Sequence, residues 1–336
     1  MKLNNTFAIG CLVQFYEIDI IEDYLKSVKY SLENVENKDN VLVDICLNCN
    51  EGLEELDRKK MDMKKIIGML SNMINKHLPM ATFKVNHKDI YTIADYRREF
   101  NDRYCEEVDV LMWGESDSLI PRQTWEVLDN LHTASVNNNV HKYVSFFATC
   151  KMWDDTWKIL EHPKFTDKPF IEMDTENWWS LRYNMNQEEM DNINNETEEL
   201  DIQQTTQLKF NGCGLVISSD VIKSGANIPK SVFFVHEDTA FMNNCLIHFR
   251  NQLPQYIIKN ILLVHNRKLP NKRMYIKGQD IQDGDMTEMR KKQYWFSNAD
   301  KMSQMNAFNT TEQGYTYTWD DVFREYKNGS NTQSNT

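Results

Sequence analysis

The sequence predicts an α/β domain, a mostly parallel sheet flanked by helices with a less regular subdomain beside it. Three observations predict it. Apolar strand-like runs alternate with amphipathic helical stretches from Phe7 to Trp113, a rhythm that requires crossover connections and therefore parallel strands. The runs are continuous in apolar residues, as strands covered on both faces are. Polar clusters also fall where the runs end, at the edge where open parallel sheets bind ligands.

Taken in order, Phe7 to Phe15 is the first strand. A helix follows, with Ile21, Tyr24, Leu25, Val28, Leu32 and Val35 at helical spacing. Val41 to Leu47 is the second strand, and a helix rich in Met and Lys runs from about Leu53 to Leu78, closed by Pro79. Ala81 to Val85, a helix from Thr92 to Cys105, and a strand from Val108 to Trp113 complete the regular half. The later half is read as strands at Tyr143 to Cys150, Gly212 to Ser218 and Ile261 to Val264, with a helix from Asp238 to Phe249. Between them, Trp153 to Asp201 is polar, acidic and aromatic and shows no period. Residues 1–150 and 151–325 are thus expected to form two halves of one domain, and the Asn/Ser/Thr-rich residues 326–336 a disordered tail.

Composition narrows the function. Apolar residues make up 41% of the 336, enough for a packed core, and a formal charge of −12 argues against a chain whose main task is gripping a polyanion. The seven cysteines lie mostly inside apolar runs, which fits a reducing compartment better than a disulfide framework. Cys46 and Cys49 stand three apart on a strand, so their thiols face opposite ways and do not clamp zinc. No segment reaches the roughly 18–20 apolar residues needed to span a bilayer. A soluble cytoplasmic chain is expected; its Asn/Lys/Ile-rich composition points to an AT-rich genome, bacterial or viral, the host cytoplasm being the location if viral.

The chemistry concentrates after the fourth strand. Glu115 and Asp117 stand two apart where the chain leaves the pleat, so both can turn to one point, and such hard oxygen ligands suit Mg²⁺ or Mn²⁺. A plain solvated turn before Pro121 would use the same residues. Tyr16 and Glu17, and the cluster containing Asn50, end the first two strands and face the same crevice. Trp178, Trp179 and Tyr183 offer flat faces for stacking on sugars or bases, or serve as core aromatics.

The segment from Val110 to Pro121 resembles the apolar strand and Asp-x-Asp-Asp motif of nucleotide-sugar-dependent glycosyltransferases of the GT-A fold, family 2 in particular. Glu115 replaces the first Asp and Ser118 the last. Tyr96-Arg97-Arg98 resembles the family's Ala-Arg-Asn segment. The stretch from Asn211 to Ser218 resembles its Gly-rich strand, and His236-Glu237-Asp238 its Glu-Asp motif. Val264-His265-Asn266 stands where some members supply a late metal-binding His. The usual Pro-x-Tyr-Asn of the first strand is missing.

The resemblance implies a Rossmann-like GT-A sheet in which residues 1–150 bind a nucleotide-sugar and residues 151–325 bind the acceptor. It implies Mn²⁺ or Mg²⁺ held by Asp117, with Glu115 and His265 completing the shell. Tyr16, Glu17, Asn50, Glu115 and Ser116 are the expected donor contacts, with Arg97 or Arg98 on the diphosphate and Lys272 and Arg273 closing over it. Asp238, with Glu237 beside it, is the expected general base, at a helix N-terminus that favours negative charge. Trp178, Trp179, Tyr183, Gly212 and Gly214 are the expected acceptor contacts. The implied activity is hexosyl or pentosyl transfer, inverting, from a UDP-sugar to a glycan or, in a virus, to a modified DNA base. The alternatives are a nucleotidyltransferase, which would want a Gly-rich phosphate loop after Phe15, and a non-catalytic carbohydrate- or nucleic-acid-binding module.

Overall fold

The apolar runs pair into an eight-stranded mixed sheet. The computed structural model describes residues 1–49, 62–87, 91–149, 185–205, 211–230, 232 and 236–265. Asn50, Trp178, Trp179, Tyr183, Lys272 and Arg273 lie outside the described residues, as does the expected 326–336 tail. The strands are β1 (Phe7–Gln14), β2 (Val41–Asn48), β3 (Thr82–Asn86), β4 (Val110–Trp113), β5 (Val144–Thr149), β6 (Ile202–Thr205), β7 (Val216–Ser218) and β8 (Gln255–Leu263). Their order is β3-β2-β1-β4-β7-β5-β8-β6. β1 runs parallel to β2 and β4, β2 to β3, and β5 to β8. β7 is antiparallel to both β4 and β5, and β6 to β8. The Rossmann-like, mostly parallel sheet expected from the sequence is therefore present.

The chain builds outward from β1 to β3, then returns to the other side of β1 to lay down β4. That reversal is a topological switch point, and it opens a crevice outside the carboxyl ends of β1 and β4.

Helices cover both faces. On one side α1 (Ile21–Ser31), α2 (Met63–His77) and α4 (Thr124–Asn137) bury Tyr24, Leu25, Leu70, Ile74 and Trp125 against Ile9, Val43 and Ile45. On the other, α3 (Ile93–Tyr104), α6 (Ser219–Lys223) and α7 (Glu237–His248) bury Phe100, Val221 and Phe241 against Ala8, Leu12 and Leu111. Each large apolar side chain so buried contributes about 1.5–3 kcal/mol. Strand alternation sends Cys46 to the second core and Cys49 to the first, so the two thiols do face apart. Burial pushes the Cys46 thiol up to about 12, as expected of a small hydrophobe. Among the described residues no helix is long and apolar enough to cross a membrane.

Three stretches differ from the sequence reading. β8 is nine residues long and carries Lys259 and Asn260 in its middle. Its pairing with β5 jumps from Phe147–Ile258 to Ala148–Leu262, a bulge that turns the polar residues outward. There Lys259 pairs with Asp201, and Asn260 bonds Glu199 and Asp201. The stretch read as irregular contains α5 (Gln187–Asn195), and β6, which the reading leaves unassigned, begins directly after it. α5 starts on a reciprocal Asn186–Glu189 cap, and its Asn194 clasps both backbone groups of Leu262. β7 begins at Val216 rather than Gly212, which leaves Asn211 to Gly214 as a turn.

Candidate active site

Gly114 ends β4 by donating its N–H to Gly10 O at 2.7 Å, and the Tyr24 hydroxyl lies where a Cβ would stand. Only glycine lets the chain leave the sheet so close to its neighbour. The next residues close a tight turn, with Ser118 N and Oγ both donating to Glu115 O, at 3.0 and 2.7 Å. Leu119 then donates to Val264 O at 2.8 Å. That one bridge fastens the end of β8 to the acidic turn and delivers His265. The imidazole Nε2 lies 2.6 Å from Glu115 Oε2 and 4.0 Å from Asp117 Oδ1. Asp117 and His265 are buried, at 2% and 4% exposure, and Ser116 is buried with them.

Arg97 reaches the same place from α3. Its guanidinium stacks over the Trp113 ring at 4.7 Å from the centroid. It donates to Glu115 Oε1 at 2.8 Å and to Gly212 O at 3.0 Å, and pairs with Glu237. Burial at 1% exposure opposes its charge, but Glu237 and Glu115 outweigh that and hold it above its ordinary range. Burial pushes the Glu237 carboxyl up to about 7, with Arg97 opposing and Asp238 adding to the rise.

Other expected residues are placed as follows. Glu17 folds back to accept from Gln14 N at 2.9 Å in the turn that ends β1, the turn that also holds Tyr16. Arg98 gives its donors to the carbonyls of Ile228, Pro229 and Val232 and to Asp95, so it braces a loop while Arg97 alone reaches the acidic turn. Asp238 is half-buried at the start of α7, with Oδ1 accepting from Thr239 N at 2.7 Å. Gly212 packs against the Arg97 guanidinium with no room for a side chain, and Gly214 has φ +69° and donates to Trp113 O at 2.8 Å. Both glycines fit the turn around Arg97.

One residue was missed. Cys213, read as a hydrophobe inside a strand, places its Sγ with a Glu115 oxygen and a His265 nitrogen within 4.8 Å of one another. Burial first, then Glu115 and Asp117, push its thiol well above the ordinary range. The signal was Gly212 and Gly214 on either side, which mark a turn and not a strand interior.

No protein-family model matches the chain, and no curated protein matches it. Solved structures do. S. aureus TarS 1-349 aligns over 91% of this chain and 72% of its own, with TM-score 0.46 and 9% identity. A longer S. aureus TarS structure aligns over 92% of this chain but 46% of its own, with TM-score 0.45 and 12% identity. GalNAc-T7, solved with UDP, GalNAc and Mn²⁺, aligns over 96% and 54%, with TM-score 0.42 and 7% identity. All of these scores are under 0.5, so the functional reading rests on the residues at the switch point.

Proposed function

We propose that the chain is a metal-dependent glycosyltransferase acting on a nucleoside-diphosphate sugar. One observation carries the reading: Glu115, Asp117, His265 and Arg97 converge from three segments on the carboxyl end of β4, beside the switch point. Carboxylates outnumber cations there, as a site for a divalent ion requires. Two carboxylates and an imidazole suit Mn²⁺ better than Mg²⁺, which prefers oxygen alone. Asp117, Glu115 and His265 would hold the ion, whose charge would offset that of a leaving diphosphate.

The chain's own groups do the rest. Arg97 fixes the Glu115 carboxylate on one side and Glu237 on the other, so the acidic turn and the start of α7 keep one spacing. Asp238 takes the proton of an acceptor hydroxyl; that oxygen attacks the anomeric carbon, and the bond to the diphosphate breaks with inversion. Glu237, paired with Arg97, positions this segment. UDP-sugars are the first donors to test, with a glycan or modified nucleobase as acceptor, and residues 151–325 are proposed to supply the acceptor side.

The test is transfer or hydrolysis of UDP-sugars with Mn²⁺ by the wild type, Asp117→Ala and Asp238→Ala. Turnover in the wild type that falls in both variants supports the assignment. Undiminished turnover in both removes it, and pyrophosphate release from a nucleoside triphosphate would indicate nucleotidyl transfer.

A further inference from the structure

We propose that Cys213 Sγ is a ligand of the cation held by Glu115 and His265, and that it tunes the site toward thiophilic divalent ions, the Zn²⁺, Co²⁺ and Cd²⁺ class. The proposal rests on the reading that Glu115 and His265 hold a cation, and is independent of sugar transfer. Three donor types converge here, a carboxylate oxygen, an imidazole nitrogen and a thiol sulfur, with their ligand atoms within 4.8 Å of one another. Oxygen ligands alone suit Mg²⁺, whereas a set with sulfur and imidazole selects softer ions.

The backbone holds the sulfur in place. Cys213 N donates to Asn211 Oδ1 at 3.2 Å, fixing the turn ahead of it. Gly212 O accepts from Arg97, the same guanidinium that orients Glu115. Gly214, in the left-handed region, is pinned by its bond to Trp113 O and packs on Leu263, two residues before His265. Cys213 is 1% exposed, so the sulfur is positioned before any ion arrives and loses little freedom on binding. On coordination the S–H proton leaves to solvent and a sulfur lone pair forms the metal bond, with no change of oxidation state.

The experiment titrates the whole metal-stripped chain with Cd²⁺ and follows the ultraviolet sulfur-to-cadmium charge-transfer band, with Mn²⁺ binding followed separately by electron paramagnetic resonance. Expected are a band in the wild type, its loss in Cys213→Ser, its retention in Cys49→Ser, and a fall in the Zn²⁺-over-Mn²⁺ preference of Cys213→Ser of about tenfold or more. A band that survives in Cys213→Ser overturns the proposal, as does Cd²⁺ displacing Mn²⁺ from the wild type without a band. If neither ion binds, the cation reading of Glu115 and His265 falls with it. Absence of sugar transfer with the band present leaves the proposal standing and removes only the transferase reading. A thermal melt of Cys213→Ser establishes that the variant is folded, and Cys213→Ala, which has no polar atom to misplace, should lose the band as well.

Discussion

Two buried acidic centres lie on the same sheet and differ in how their charge is answered. Asp44, midway along β2, is 1% exposed. Its carboxylate accepts from the Tyr96 and Tyr104 hydroxyls at 2.9 and 2.7 Å and faces Arg103 at 3.1 Å and Lys84 at 3.5 Å. A single carboxylate thus meets two hydroxyls and two cations, and the centre is saturated by the protein. At the end of β4, Glu115, Asp117 and Glu237 crowd around one guanidinium and one imidazole, with Asp238 adding its field to Glu237. Burying excess negative charge costs stability unless something neutralises it. The first centre is therefore a structural tie, and the second is the one proposed to take a cation. Location agrees, since Asp44 sits inside the sheet and the acidic turn sits at its switch point.

Removing each centre should give opposite results. Asp44→Ala strands the Tyr104 hydroxyl and weakens the hold on Tyr96, at about 1–3 kcal/mol for each buried group left unmade. A loss of about 3 kcal/mol in denaturant unfolding is expected, with turnover per folded molecule unchanged. Asp117→Ala should do the reverse. Metal-dependent turnover should fall about 100-fold or more, because a catalytic cation supplies several kcal/mol of charge stabilisation. The melting temperature without metal should hold or rise, since one of the crowded carboxylates has gone. If Asp117→Ala unfolds the chain and Asp44→Ala does not, the roles assigned to the two centres are exchanged.

Mn²⁺ sharpens the contrast. A ligand bound only by the folded state stabilises by mass action, about 2.7 kcal/mol at a hundred times its dissociation constant. The wild type and Asp44→Ala should both gain this, and Asp117→Ala should not. Thermal melts with and without Mn²⁺ read it directly.

The sequence made the position of this second centre legible and left its wiring hidden. Glu115, Asp117 and His265 could be found because each ends an apolar run, and parallel strands put their carboxyl ends at one edge. Arg97 and Arg98 could not be told apart, because they are neighbours on one helix and differ only in which way each projects. Tyr96, Phe100 and Tyr104 pack inward, and tertiary contacts then assign Arg97 to the acidic turn and Arg98 to the carbonyls of Ile228 to Val232. Cys213 was hidden for a related reason. It reads as part of the apolar run that follows it, and only its convergence with residues 98 and 52 positions away sets it among possible metal ligands. Lys259 and Asn260 concealed the first part of β8, before Ile261, since a bulge that turns polar residues outward has no sequence period.

The smallest effect probes the centre through Glu237. An acid whose pKa is raised on folding, here to about 7 from an ordinary 4.5, binds its proton more tightly in the folded state. Its contribution to stability is therefore full below about 4.5, shrinks as pH rises, and is gone above about 7. Glu237→Gln keeps the shape and removes the titration. Measured by denaturant unfolding without metal, the stability of the wild type minus that of the variant should fall as pH rises through this window and level off on either side. A difference that grows with pH would mean that Arg97 dominates and holds Glu237 as a satisfied ion pair. Glu237 would then belong with Asp44 among the structural ties, and the excess charge left for a cation would rest on Glu115 and Asp117 alone.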